Sequence, residues 1–147
     1  LLFNHYVSEE VNYDTSTKYT KNTKLTKDPY NDENSCSLIE AKEEFGSTIS
    51  IPVKNLGFCL PRKVEFSVEI CPLENNFQSE MAVQVMRNNK QVYFQSLPFE
   101  TIDPIFQKTD FYAQLPKDLT KEDEIIFFFW NRGKKTFLVD NFKFSFK

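Results

Sequence analysis

The segment at positions 136 to 146 reads TFLVDNFKFSF and constrains the fold of this chain more than any other segment. Apolar and polar side chains alternate along it, but the apolar set changes phase, from odd-numbered Phe137 and Val139 to even-numbered Phe142, Phe144 and Phe146. Because successive side chains of a strand point to opposite faces, one regular strand would separate these two groups. A bulge at Asp140-Asn141 would return both to one core. The segment therefore predicts the closing strand of an antiparallel β-sandwich with a carboxylate at its kink.

Composition favours a single domain over residues 1–147 with its own core. The chain is 40% hydrophobic and contains 16 phenylalanines, enough large apolar side chains to close a core without disulfides. Only three glycines are present, which argues against a glycine-rich phosphate-binding loop. The formal net charge is −3 without a basic stripe, so we expect no nucleic-acid partner. No run approaches the roughly 18 apolar residues of a membrane span, so we expect no transmembrane segment.

Turn signals divide most of the chain into short strands, which is typical of an all-β sandwich. The clearest pair is a hairpin, Glu80–Arg87 with Lys90–Leu97, whose Asn88-Asn89 link tolerates the positive φ of a type I′ turn. Glu124–Trp130 is apolar on both faces and predicts a central strand covered on each side. The other predicted strands are Leu1–Val7, Ser35–Ala41, Phe45–Val53, Lys63–Cys71 and Asp110–Leu115.

The region from Ser8 to Asn34 is polar and has few apolar anchors. We interpret it as a long surface loop. Its Thr/Lys alternation leaves open one edge strand around Thr17–Leu25, where lysines would resist unwanted pairing. Asp28-Pro29-Tyr30-Asn31-Asp32 is a turn by composition.

Residues suited to catalysis are sparse in this sequence. His5 is the only histidine, and no cysteine lies in a nucleophile motif. Cys36, Cys59 and Cys71 are odd in number without a CxxC pair, so we interpret them as small apolar fillers. The carboxylate pairs are neighbours in predicted turns, where such groups are normally solvated. We therefore predict that the chain is not an enzyme.

The second half of the chain resembles a known kind of domain. The resemblance lies in the hairpin at 83–94, in Leu115-Pro116, in Phe129–Lys135 and in Val139-Asp140-Asn141-Phe142. These segments resemble the jelly-roll β-sandwiches of the galactose-binding-like and carbohydrate-binding-module type. They look closer still to an uncharacterised group of bacterial extracytoplasmic domains of this kind. The resemblance spans roughly residues 35–147 and implies an extracytoplasmic location, periplasmic or at the cell surface.

The resemblance also implies a structural calcium ion. In the carbohydrate-binding relatives an aspartate of the closing strand helps to hold calcium, together with a first-strand glutamate, and Asp140 matches that aspartate. Val7 stands where the glutamate is expected, so Glu9 or Glu10 would have to serve. The alternative is that Asp140 caps the bulge by accepting bonds from nearby N–H groups.

A non-catalytic accessory domain that binds a glycan is the function that the resemblance implies. Trp130 is the only tryptophan, and we consider it as a flat platform for a sugar, accompanied by Tyr93, Tyr112 and Arg87. The alternative places Trp130 at the rim of the core. Two other functions stay open: a protein-interaction or spacer domain that contacts a neighbouring protein domain without sugar, and a small hydrolase with an atypical site.

Overall fold

The computed structural model of the chain describes residues 7–11, 20–21, 24–57, 59–101 and 103–147. The described residues form a short 3-10 turn at Val53–Leu56 and eleven strands: β1 Val7–Val11, β2 Thr20–Lys21, β3 Lys24–Asp28, β4 Asn31–Ile39, β5 Phe45–Pro52, β6 Lys63–Pro72, β7 Gln78–Arg87, β8 Lys90–Glu100, β9 Gln107–Gln114, β10 Glu124–Trp130 and β11 Phe137–Phe146.

Two antiparallel sheets face each other and confirm the predicted all-β, two-sheet sandwich of jelly-roll type. The first sheet has the order β3-β4-β11-β6-β9, and the second has the order β2-β5-β10-β7-β8. Strand β6 pairs with both halves of β11, while β4 and β1 pair with successive halves of its other edge. The closing strand therefore lies inside the first sheet.

The predicted bulge in the closing strand is confirmed. The register of β11 against β6 shifts between Asp140 and Lys143, and Asn141 has a φ of 48°. The apolar side chains on both sides of the shift are buried in one core: Phe137, Val139, Phe142, Phe144 and Phe146. Their rings meet those of the second sheet, as in the 5.4 Å separation of the Phe127 and Phe142 centroids. The bulge thus returns the apolar side chains on both sides of it to one core.

The predicted hairpin is also confirmed. Strands β7 and β8 pair along their length, and Asn88 and Asn89 have φ values of 50° and 63°. Positive φ at both central residues defines the type I′ turn that suits the twist of the strands. Strand β8 continues to Glu100, three residues beyond the predicted end of this arm at Leu97.

The interpretation of residues 8–34 as a long loop is wrong for much of the range. Strand β3 forms an edge of the first sheet, β2 forms an edge of the second, and β4 begins at Asn31. The edge-strand alternative around Thr17–Leu25 is therefore confirmed only in part, because that range contains β2 and the start of β3, which are edges of two different sheets. Backbone pairing to a neighbour holds these strands although Leu25, the apolar residue of β3, is exposed, so the polar composition did not reveal them. Most of the predicted first strand, residues 1–6, lies outside the described residues.

A second, smaller apolar cluster lies on the outer side of the first sheet. Cys36, Cys71 and Leu138 are buried there, with Leu38 and Phe106 packed against them. Two cysteines thus fill space as predicted, whereas Cys59 is exposed. In the part of the chain that the structure describes, no helix is long and apolar enough to cross a membrane.

Candidate functional site

Strand β10 presents large apolar side chains on both of its faces. Its odd-numbered side chains are buried in the core, whereas its even-numbered ones are only half-buried and face outward: Ile126, Phe128 and Trp130. The strand is central, between β5 and β7, as predicted. The prediction that it is covered on each side is wrong, because its outward side chains remain in contact with solvent.

A bulge in β5 adds another ring to this surface. The register of β5 against β10 shifts by one residue at Ser47, whose φ of 35° lies in the left-handed region. The shift places Phe45 directly opposite Trp130, and directly opposite residues share a face of the sheet. Phe45 is 55% exposed. Without the bulge, its side chain would point towards the core.

Four rings meet on the outer side of the second sheet. Phe45 lies 5.6 Å from Phe128 and 6.2 Å from Trp130, measured between ring centroids. Phe94, which is 38% exposed on β8, lies 5.8 Å from Trp130 and 6.5 Å from Phe128. The rings leave Ala82 beneath them fully buried. We call Phe45, Phe94, Phe128 and Trp130 the aromatic face.

Polar side chains border the aromatic face. Arg132 lies with its guanidinium carbon 4.7 Å from the centroid of the Trp130 ring, and its Nη1 is 3.3 Å from a carboxylate oxygen of Glu80. Further along the same face, Ser50 donates to the carboxylate of Glu124. An apolar surface with a few placed polar groups is the usual composition of a small-molecule site. Large exposed apolar patches also mark protein-binding surfaces.

The four residues predicted to bind a ligand do not lie together. Trp130 is on the aromatic face. Tyr93 packs against the core, its hydroxyl donates to the carbonyl of Gln114, and burial raises its pKa. Tyr112 lies opposite Glu65 on the outer side of the first sheet and is exposed. Neither tyrosine can accompany Trp130, because strand alternation directs each to a different surface.

Arg87 has a structural partner at the end of β7. Its Nε and Nη2 atoms donate to the two carboxylate oxygens of Asp123, at 2.7 and 2.8 Å. The backbone N–H of Thr120 donates to the same carboxylate at 2.8 Å. The bonds from Arg87, and to a smaller extent the bond from Thr120, hold the pKa of Asp123 below its usual range. The bonds to Asp123 raise the pKa of Arg87. The pair anchors the loop before β10, away from Trp130.

Asp140 lies at the bulge, as predicted, and is 1% exposed. One of its oxygens accepts the backbone N–H of Asn141 at 2.8 Å, which is the capping role foreseen as the alternative to metal binding. Its other oxygen accepts the side-chain nitrogen of Asn34 at 2.8 Å. The same nitrogen also lies 3.1 Å from a carboxylate oxygen of buried Asp28. Two carboxylates therefore converge on one amide.

Oxygen atoms surround Asp140, and oxygen is the ligand atom that calcium prefers. Calcium takes six to eight oxygen ligands, and an amide supplies an oxygen when it is turned over. Glu9 and Glu10 lie on β1, where their backbones pair with Phe144 and Lys143, but the structure does not describe their side chains. Among the described residues, no three histidine, cysteine, aspartate or glutamate side chains come close enough to hold a metal.

Comparison of the fold with solved structures finds carbohydrate-binding modules. The CBM22-1 xylan-binding domain of Paenibacillus barcinonensis Xyn10C matches with a TM-score of 0.54 and 12% identity, over 94% of this chain and 92% of that domain. The C-terminal CBM6 of Zobellia galactanivorans LamC matches with a TM-score of 0.52 and 6% identity, over 94% and 98%. The chain thus has the jelly-roll fold of such modules, as the sequence resemblance implied.

Larger proteins also contain this fold as one part. The enzymatically active domain of bacteriophage CBA120 tailspike protein 4 matches 98% of this chain with a TM-score of 0.55 and 12% identity. The chain spans only 20% to 28% of the length of that protein and of two similar large matches. No protein-family model and no curated protein sequence matches the chain.

Sequence reasoning found Trp130 but missed the rest of the aromatic face. Phe45 faces outward only because of the β5 bulge, and Phe94 was assigned to a predicted strand without a role. The pairing of β10 with β7 would have indicated which side of the sheet faces solvent. The polar residues Gln84 and Glu80 of β7 lie opposite Ile126 and Trp130, so this side of the sheet meets water.

Proposed function

We propose that this chain is a non-catalytic domain that binds a glycan on the aromatic face. The observation that carries the proposal is the meeting of four rings on the outer side of the second sheet. A core does not need these rings, since 25 other apolar residues form one cluster between the sheets. Flat rings with polar groups beside them match a sugar, whose ring has apolar C–H faces and polar edges. The fold shared with carbohydrate-binding modules supports the same function.

Fluorescence of the single tryptophan offers a direct test. We expect the emission of Trp130 to change saturably with at least one oligosaccharide from a panel of xylose, glucose and mannose polymers that includes neutral, uronate-bearing and sulfated members. Trp130→Ala and Phe128→Ala should each weaken binding at least about tenfold, or about 1.4 kcal/mol, measured by calorimetry. The matched control is Tyr112→Ala, an exposed aromatic on the other sheet, which should leave affinity unchanged. A panel without response would refute the proposal.

A neighbouring protein domain is the second candidate for the occupant of the aromatic face. Phe45 and Phe94 are exposed side by side with the half-buried Trp130, and such patches also serve protein contacts. Binding of a flanking domain that is lost in Trp130→Ala, together with a sugar panel that stays silent, would favour this candidate over a glycan.

We infer a non-catalytic role from the state of the carboxylates. Asp123 is bound by Arg87, Glu124 accepts from Ser50, and Glu43 is 2.5 Å from the ammonium of Lys24. A glycosidase needs two carboxyl groups facing each other across the substrate. Release of reducing sugar from any oligosaccharide of the panel would instead support the hydrolase alternative.

We further propose that residues 1–147 form one domain that acts outside the cytoplasm. The fold shared with carbohydrate-binding modules supports both proposals. A single cooperative unfolding transition would test the first, and cell fractionation would test the second.

We also propose that calcium binds at Asp140. Asp28, Asn34 and Asp140 would supply side-chain oxygens. When bound, the ion would neutralise the converging carboxylates and tie the β3–β4 turn to the bulge of β11.

A further inference from the structure

The aromatic face ends at a cleft with a positive charge. This basic cleft has a volume of about 570 Å³ and adjoins Trp130 at the end of β10. It is lined by three cationic side chains, Lys42, Arg132 and Lys134, and by one carboxylate. The cleft therefore has a local formal charge of +2, from three positive groups and one negative group, whereas the chain as a whole has −3.

The backbone holds the walls of the basic cleft in fixed positions. Asn131 is 1% exposed, and its side-chain nitrogen donates to the carbonyls of Glu40 at 3.2 Å and Lys135 at 2.9 Å. Its backbone N–H donates to the carbonyl of Glu44 at 2.7 Å, which ties the opposite wall to the same residue. The site is thus organised before any ligand arrives, which reduces the entropy cost of binding.

Close packing fixes the turn that carries Arg132. A Cβ on Gly133 would collide with the carbonyl oxygen of Gln78, so only glycine allows the turn to lie this near to β7. The backbone N–H of Arg132 donates to the carbonyl of Trp130 at 2.8 Å. The guanidinium and the indole ring are therefore positioned together.

The cations of the cleft retain donors for a ligand. The side chains of Lys42 and Arg132 are 78% and 58% exposed. Lys42 shares Glu40 with Lys24, whose ammonium lies at 3.1 Å from the same carboxylate oxygen and is the larger cause of the lowered pKa of Glu40. Arg132 has five N–H donors and directs Nη1 to Glu80.

We infer that the glycan of the proposed function carries an anionic group, a carboxylate or a sulfate ester, which the basic cleft binds while an adjoining sugar lies on the aromatic face. This inference rests on the proposed function and adds the substrate class and the determinant of selectivity. The planar guanidinium of Arg132 can donate two parallel bonds to such a group, and the two lysines add charge. A neutral sugar would make no use of the positive charge that these groups add beside Trp130.

The test compares oligosaccharides that share a backbone and differ in charge. Xylo-oligosaccharides with and without a glucuronate branch, and a sulfated oligosaccharide, are titrated into the full chain by calorimetry. We expect the anionic ligands to bind at least about tenfold more tightly than the neutral one at low salt, with an advantage that shrinks as salt rises. The uronate and sulfate arms show which anion is preferred.

Variants separate charge from stacking. The double variant Lys42→Gln/Lys134→Gln should lose most of the advantage of the anionic ligand and change neutral binding less than about threefold, and Arg132→Gln should also lose most of that advantage. Lys90→Gln, at the hairpin, is the matched control. If Arg132→Gln unfolds at a lower temperature than the wild type, the affinities of the double variant alone test the inference. Equal affinities for neutral and anionic ligands would overturn this inference and leave glycan binding intact, whereas a chain that binds no sugar overturns both.

Discussion

At the scale of single residues, the direction of a side chain decides its role. Phe127 and Phe128 are adjacent and identical in chemistry, yet Phe127 is fully buried among core rings while Phe128 faces outward. Phe127 lies 5.0 Å from Phe66 between ring centroids, and Phe128 lies 5.6 Å from Phe45. Substitution of each residue in turn therefore separates an effect on stability from an effect on binding.

We expect the two alanine substitutions to differ sharply. Phe127→Ala removes a buried ring and should lower the free energy of unfolding by about 3–5 kcal/mol. Phe128→Ala should cost far less stability, because solvent already reaches its ring, but it should weaken glycan binding. Denaturant unfolding and calorimetry check the two effects. Equal losses of stability would contradict the assignment of Phe128 to an outer face.

The ion pair between Arg87 and Asp123 leads to a prediction about acid stability. Since the pKa of Asp123 is lower in the folded chain than in the unfolded chain, the pair's contribution is complete above about pH 4 and is lost as the pH falls below that value. Asp123→Asn should therefore be less stable than the wild type at pH 7, and its melting temperature should fall less steeply below pH 4. Exposed Asp118→Asn, which removes a weaker partner of Arg87 at 3.7 Å, is the control. Parallel acid profiles for wild type and Asp123→Asn would refute the role.

At the scale of elements, two bulges determine which aromatic side chains are buried in the sandwich and which are exposed. The bulge in β11 turns three phenylalanines inward, whereas the bulge in β5 turns Phe45 outward. Both bulges contain a residue with positive φ, Asn141 and Ser47. A shift of one residue changes the face of every side chain beyond it, so these positions have effects far larger than their size.

The bulge at Asn141 can be tested through its backbone conformation. Asn141→Gly should be tolerated because glycine adopts positive φ without strain, although the bond to Glu69 at 2.6 Å is lost. Asn141→Val should cost about 1–2 kcal/mol more than Asn141→Gly, since a β-branched residue is strained in the left-handed region. Urea unfolding of both variants measures the difference. If both variants unfold at the same urea concentration, the bulge is not under this constraint.

The two bulges also show how far sequence reasoning extends. The β11 bulge was predictable because the apolar residues on both sides of it change phase. The β5 bulge was not, because Phe45 is in phase with Ile49 and Ile51 in the sequence, and nothing in that pattern shows that the register shifts at Ser47. For the same reason the sequence located Trp130 but assigned it companions by residue type, and strand alternation separates Tyr93 and Tyr112 from it. Which face meets solvent depends on pairing between distant strands.

At the scale of the whole molecule, the two outer surfaces of the sandwich differ in chemistry. The outer side of the first sheet carries charged or polar groups such as Glu65, Asp110 and Lys108 beside Tyr112. The outer side of the second sheet carries the aromatic face and ends at the basic cleft. A spacer would need only the first kind of surface. The asymmetry favours a ligand that approaches one sheet, with the other free to face bulk solvent.

The proposed calcium site connects the first sheet to its edge, so its effect should appear in the stability of the whole chain. A ligand that binds only the folded state stabilises it by mass action, by about 2.7 kcal/mol at one hundred times the dissociation constant. We therefore expect calcium to raise the melting temperature of the wild type and a chelator to reverse the change. Asp140→Asn and Asp28→Asn should lose the response, whereas exposed Asp110→Asn should keep it. A wild type that melts at the same temperature in calcium and in chelator would show that the bonds of Asp140 to Asn34 and Asn141 hold this corner without a metal.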